Sequence, residues 1–236
     1  MSLGRVLSIS GAATRATGRL IEKAGTNMQP GYRPLEAPSG HRRLVPTAEG
    51  VGPRLGYHTF VAPSATLVGG ALVGKNCSIW YGAVVRADQG KVKIGDSVSV
   101  GERTVVKGQT EIGSNAHIGA NCVLNGCQID TGAFIDDGTV VGKGAKIGTA
   151  THVGPGSVVT PGTVIPAGQY WAGNPASFRS VLTMEQLIAL KNQSKETLKQ
   201  GEKHDFFLSM SDNQRSEWEA LEEMRTSKPK KFEPRF

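Results

Sequence analysis

An aliphatic residue returns every six positions through most of this 236-residue chain. The series runs Val61, Leu67, Val73, Ile79 and Val85, then resumes at Ile94, Val100, Val106, Ile112, Ile118 and Leu124. After one five-residue step it continues as Ile129, Ile135, Val141, Ile147, Val153, Val159, Ile165 and Trp171. The fifth place of the hexad is small, as at Ala65, Ala83, Ala116, Cys122, Ala133 and Ser157, and Gly often follows the aliphatic. Neither a helical period of about 3.6 nor a strand period of about 2 accounts for this spacing. It predicts an all-β solenoid in which each hexad makes one short flat strand and one corner. The aliphatic fills the prism, and the small residue fits the crowded interior near the corner. With three hexads to a coil, residues 18 apart should stack at roughly 4.8 Å, the spacing of neighbouring strands. The stretch RADQGKVK, residues 86–93, stretches one step to nine residues, which predicts a loop leaving the prism at a working face or a subunit contact.

Outside the repeat the pattern changes, dividing the chain into an arm over 1–56, the solenoid over 57–180 and a tail over 181–236. In residues 1–28, Leu3, Val6, Leu7, Leu20 and Ile21 fall on one face of a helical wheel, and Arg5, Arg15, Arg19 and Lys23 on the other. This predicts a basic amphipathic helix lying on a membrane or against a partner. The same Arg-rich, acid-poor stretch also fits a mitochondrial import signal, and a signal that stays attached satisfies both readings. In the tail, Thr183 and Gln186 form a capping-box pattern ahead of Leu187, Ile188 and Leu190, which predicts a helix packed on the prism. The end, KPKKFEPRF, reads as an extended or partner-contacting segment.

Composition narrows the function classes. With 31 glycines and only 6% aromatics, the chain fits a repeatedly turning fold better than a helical bundle. Of the net charge of +7, residues 1–56 carry +5, so the basic excess belongs to the arm and not to a broad nucleic-acid-binding face. Cys77, Cys122 and Cys127 include no C-x-x-C pair, and two of them occupy the small fifth place. Cys77 and Cys122 read as small interior packing residues, Cys127 at the five-residue step has no assigned place, and neither a disulfide framework nor a thiolate zinc site is indicated. No apolar run approaches the roughly 20 residues that span a bilayer.

Three segments carry a resemblance: SIWYGAVVRADQGKVKIGDSVSVG, IGANCVLNGCQI and YWAGNPAS. They resemble γ-class carbonic anhydrases, trimers of left-handed parallel β-helices that hydrate carbon dioxide with a metal at each subunit interface. The resemblance covers roughly residues 57–200. It implies that Arg86 and Asp88, in the G-A-V-x-R-x-D motif, bridge subunits. It also implies that the three metal-binding histidines would stand at positions 107, 120 and 125, where this chain has Lys107, Ala120 and Asn125. Positions 107 and 125 are one coil apart and should stack, whereas position 120 belongs to another edge and would face a neighbouring subunit.

Zinc catalysis needs three N, S or O donors and an open position for water. Lysine brings a cation where a cation should sit, alanine brings nothing, and asparagine is a poor ligand. His117 lies at the sixth place of its hexad, where its side chain should point outward at the surface. Gly101 replaces the family's usual glutamine, and the segment after Lys107 is shorter than the family's loop with its acidic proton-transfer residue. Together these departures predict a chain without carbonic anhydrase activity and with no cofactor of its own. A zinc ion would be expected only at an interface formed by partner subunits.

The arm, with YRPLE and HRRL, resembles that of the plant and algal γ-carbonic-anhydrase subunits of mitochondrial complex I. The expected function is a structural or assembly subunit of a heterotrimer with two related chains, on the matrix side of the inner membrane. Its expected contacts are complex I membrane-arm subunits and, peripherally through the N-terminal helix, the membrane. The alternatives are an active carbonic anhydrase with a shared interface site, and a hexapeptide acyltransferase drawing its base from His117 or His152.

Overall fold

A computed structural model describes residues 17–18, 41–47 and 50–210. It shows a three-sided parallel β-solenoid of about seven turns. Sheet one is ordered β1 (Leu44–Val45), β4 (Thr66–Gly69), β7 (Val84–Ala87), β10 (Val105–Lys107), β13 (Val123–Asn125), β16 (Val140–Val141) and β19 (Val158–Val159). Sheet two holds β2 (Arg54–Leu55), β5 (Leu72–Val73), β8 (Val92–Ile94), β11 (Thr110–Ile112), β14 (Gln128–Ile129), β17 (Lys146–Ile147) and β20 (Val164–Ile165). Sheet three holds β3 (Phe60–Val61), β6 (Ser78–Ile79), β9 (Ser99–Val100), β12 (His117–Ile118), β15 (Phe134–Ile135) and β18 (His152–Val153), then β21 (Gln169–Ala172), which pairs antiparallel with β22 (Ser177–Val181). Strand pairing thus begins ahead of residue 57, with β1 alongside β4 and β2 alongside β5.

The register follows the hexads. Val105 pairs with Val123, 18 residues on, in the regular coils. Val84 pairs with Val105, 21 residues on, because the 86–93 segment adds three residues to that coil. Val123 pairs with Val140, 17 residues on, where the five-residue step removes one. In each case the aliphatic column stays in line and the corner absorbs the difference. Leu67, Val85, Val106, Leu124 and Val141 are fully buried within sheet one, as are the isoleucines of the other sheets, so the prism is filled by one large side chain per strand. The small fifth-place residues are buried beside them, because that position turns inward where two sheets converge.

Corners need a left-handed backbone. It is supplied by Asn76, Ser97, Asn115 and Ala150 at the corner between sheets two and three, and by Gly108 and Gly126 between sheets one and two. Asparagine tolerates that region through local hydrogen bonding, and glycine has no Cβ to oppose it.

The expected tail helix is α1 (Met184–Ser209). Its capping box forms as the sequence suggests: the Thr183 hydroxyl accepts from the Gln186 N–H, and the Gln186 side-chain oxygen accepts from the Thr183 N–H at 2.9 Å. The helix lies against sheet three. Gly201 packs tightly there: an added Cβ would stand 2.8 Å from Cβ of Ser78. Thr17 and Gly18 are helical; the rest of the expected N-terminal amphipathic helix, including Leu3, Val6, Leu7, Arg15, Arg19, Leu20 and Ile21, lies outside the described residues, as does the tail beyond 210. Among the described residues, no helix is long and apolar enough to cross a membrane.

Candidate functional site

Sheet one and the corner leading into it carry the positions of interest. Arg86, Lys107 and Asn125 are Cα partners on three successive strands, β7, β10 and β13, so they form one outward column at the strand ends. Lys107 is exposed and Asn125 half-buried. The Asn125 side-chain oxygen lies over Gly108, at 3.2 Å from where a Cβ would be. The Thr110 hydroxyl holds the two turns together, donating to the Lys107 carbonyl at 2.7 Å and accepting from the Gly126 N–H at 3.0 Å. The stacking expected of positions 107 and 125 is therefore present.

Arg86 is engaged within its own chain. Its Nε donates to Asp88 Oδ1 at 3.3 Å and its Nη2 to Asp88 Oδ2 at 2.5 Å, a two-point contact on the exposed face. That hydrogen bond holds the Asp88 carboxyl below the usual carboxylate range. The pair is thus preorganised in the single chain, with both side chains still accessible to a neighbour.

Position 120 sits at the opposite margin of sheet one, on the corner between β12 and β13. The Ala120 N–H donates to Asp137 Oδ1 at 2.6 Å. A cavity of about 230 Å³ opens there, lined by Trp80, Glu102, His117, Ala120 and Asp137, with Thr197 and Gln200 of α1 on the far wall. Gly101 also borders it; a Cβ at 101 would lie 2.5 Å from the backbone of Gly119. A side chain at 101 would therefore require the backbone of the two coils to move apart.

His117 points outward from the prism, as its place in the hexad suggests, but it is half-buried and not fully exposed. Helix α1 covers that face, and the imidazole stacks on Phe134 with ring centroids 4.3 Å apart. Its Nδ1 is buried without a hydrogen-bond partner, and burial pushes its pKa down, so the ring is neutral near neutral pH. The hexad pattern showed direction but not the cover, because the covering helix is distant in sequence.

The stack continues: Phe134 meets His152 edge-on at 5.5 Å, and His152 meets Tyr170 at 4.8 Å. His152 Nε2 contacts Asp136 Oδ2 at 2.8 Å beside a cavity of about 270 Å³. A carboxylate-held imidazole is the arrangement of a general base. This pairing was not read from the sequence, although Asp136 and His152 sit nearly one coil apart. His204 of α1 was likewise missed; it packs edge-on against Trp80 at 5.2 Å. The Trp80 indole N–H donates to the hydroxyls of Ser78 and Ser99.

All three cysteines are buried, as expected of Cys77 and Cys122. Cys127, the fourth residue of the shortened unit and two before Ile129, takes the interior position that the fifth residue fills in full hexads. Burial pushes the Cys122 thiol up to about 11 and Cys127 up to about 12, so both stay protonated and neither serves as thiolate ligand or nucleophile.

The residues at 107, 120 and 125 do not fit a zinc ion. Lys107 presents an ammonium, Ala120 a methyl group, and Asn125 an amide with weak affinity for zinc. Among the described residues, no group of three His, Cys, Asp or Glu converges on a point that would hold a metal.

Comparison with known proteins agrees with this architecture. A family model described as bacterial transferase hexapeptide (six repeats) matches residues 91–126. Gamma carbonic anhydrase 2, mitochondrial, of Arabidopsis thaliana is 35% identical over 98 residues, covering 42% of this chain and 35% of that protein. An uncharacterized protein of Dictyostelium discoideum is 35% identical over 96 residues, 41% of this chain and 39% of that protein. The chain thus matches less than two-fifths of the length of either curated relative. The crystal structure of a hexapeptide transferase family protein from Anaplasma phagocytophilum is 34% identical, with a TM-score of 0.65, over 67% of this chain and 95% of that one. Repeat, register and this near-complete coverage of a solved member show that the chain belongs to the hexapeptide-repeat family.

Proposed function

We propose that this chain is a non-catalytic, structural member of a γ-carbonic-anhydrase-like heterotrimer. In this reading it aids assembly or stability of respiratory complex I on the matrix side of the mitochondrial inner membrane. The observation that carries it is the Lys107–Asn125 pair: in register on adjacent strands, outward, with an ammonium and an amide at the two positions. The backbone frame is kept while the donor chemistry is gone. Gly101 supports the reading, since it brings no side chain where the family usually has a glutamine. The relatives named as mitochondrial gamma carbonic anhydrases support the location, as does the basic arm.

A chain that lends two ligand positions to one interface and the third to another removes two sites from a mixed trimer. One site remains, built wholly by its partners. The test has two arms. The chain produced alone is incubated with zinc, dialysed and analysed for metal and carbon dioxide hydration; the expected result is neither bound zinc nor activity. The tagged chain is then recovered from mitochondria and run on a native gel. Comigration with complex I, at no more than one metal per trimer, is expected. Stoichiometric zinc with hydration activity in the first arm, or migration apart from complex I in the second, overturns the reading.

A further inference from the structure

The C-terminal half of α1 is seated on early coils of the solenoid, with Gly201 against Ser78 and His204 edge-on to Trp80. Ahead of that contact the helix runs beside the corner between sheets two and three, the edge of the prism opposite sheet one. A cavity of about 330 Å³ lies there between helix and corner. That volume is at the low end of the roughly 300–1,000 Å³ typical of small-ligand sites. The helical wall is made by Leu187, Leu190, Ser194 and Leu198, at steps of three and four residues that keep to one face. Phe134 of β15 adds an aromatic surface. The opposite wall is the corner column of Ser97, Asn115 and Ala150. Gly132 belongs to the same column, and a Cβ added to it would meet nothing within 4 Å, so the slot is open at that coil.

Ser194 is the anomaly on the helical wall. It is only 7% exposed, yet its hydroxyl makes no hydrogen bond among the described residues. Thr197 and Ser209, on the same helix, donate to carbonyls four and three residues back, a common recourse of a helical hydroxyl. Buried polar groups are ordinarily paired, and a leucine at 194 would have continued the apolar face. An unpaired hydroxyl among leucines instead offers a donor to a group entering the slot. Beside it stand Lys191 and Lys195, one helical turn apart and both exposed. Neither meets a carboxylate within ion-pair distance among the described residues; the nearby Glu196 faces Lys199.

We propose that this slot binds a medium-chain aliphatic carboxylate. The carboxylate lies at Lys191 and Lys195, with one oxygen accepting from the Ser194 hydroxyl, and the chain runs inward along Leu190 and Leu187 against Phe134. Two unpaired cations meet the charge, one unpaired buried donor meets the oxygen, and an apolar wall meets the chain. Length is bounded as well: from Ser194 to Leu187 the helix rises about 10 Å, which suits decanoate and leaves the end of a hexadecanoate chain outside. A free phosphate would leave the leucines unused, and an uncharged alkane the lysines. The slot lies away from positions 107, 120 and 125, so it is independent of the heterotrimer reading above.

The test is isothermal titration calorimetry on the full-length chain purified alone, with hexanoate, octanoate, decanoate, hexadecanoate and decanol, each below its micelle concentration. Saturable binding of decanoate at one site is expected. From hexanoate to decanoate each added methylene should tighten binding about fourfold, and hexadecanoate should gain nothing further. Ser194→Ala should weaken decanoate binding by about tenfold or more, the scale of a hydrogen bond to a charged group, with the helix content by circular dichroism unchanged. Lys191→Gln combined with Lys195→Gln should weaken decanoate, leave decanol unaltered and remove the salt dependence. Ser194→Leu, which fills the slot with an alkyl group, should abolish binding of both. No saturable heat with decanoate overturns the site. Equal affinity for decanol and decanoate overturns the carboxylate. Undiminished binding by Ser194→Leu places the ligand elsewhere and overturns the slot, and none of these results bears on metal content or comigration with complex I.

Discussion

At position 117 an imidazole lies flat on Phe134 with one nitrogen buried and unpaired. A neutral ring is tolerated there, whereas a protonated one loses its hydration, so burial lowers the folded-state pKa. In the unfolded chain the same group takes its proton near pH 6.5. Below that value the unfolded form binds more protons than the folded one, and stability falls as pH drops towards the depressed folded pKa. The contribution is fully present above about pH 6.5, with a slope of at most about 1.4 kcal/mol per pH unit below it. Urea denaturation at pH 7.5 and 5.5 should therefore show acid destabilisation that His117→Phe reduces; an equal pH dependence in both proteins would sink this account.

At the scale of the element, α1 depends on one close approach. Gly201 faces Ser78, and the helix is held there by contacts among His204, Phe60, Trp80 and Tyr81. Glycine inside a helix ordinarily costs about 1 kcal/mol relative to alanine, so its presence here marks a packing need. A larger side chain would push against Cβ of Ser78, on a strand that the solenoid holds on both sides. Gly201→Val should lift the helix while the coils remain folded. Hydrogen exchange should then rise across Met184–Ser209 and stay unchanged in β9 through β15; uniform exchange rates in both proteins would contradict that.

At the scale of the whole solenoid unit, each coil touches only its neighbours, and stability is close to a sum over coils and their contacts. Inward columns bear that load, while the outward column of sheet one, Val105 and Val123 among its members, stays at least partly exposed. Val123→Asp should accordingly cost no more than about 1 kcal/mol of folding stability, the scale of a strand-propensity change. A large fall in melting temperature would instead assign Val123 to the fold.

The sequence by itself determined the solenoid, its register and the α1 cap. A six-residue period places one aliphatic per strand, and the nine- and five-residue steps forecast where pairing shifts to 21 and 17 residues. It also determined that Lys107 and Asn125 stack and that no histidine occupies positions 107, 120 or 125. All of this depends on spacing along one coil, which a linear pattern records directly. Only the tertiary structure decided that His117 is half-buried on Phe134, that Asp136 holds His152, and that Gly101 lies against the backbone of Gly119. Each of these depends on how closely a distant helix or a neighbouring coil approaches, a distance set by packing that periodicity does not record.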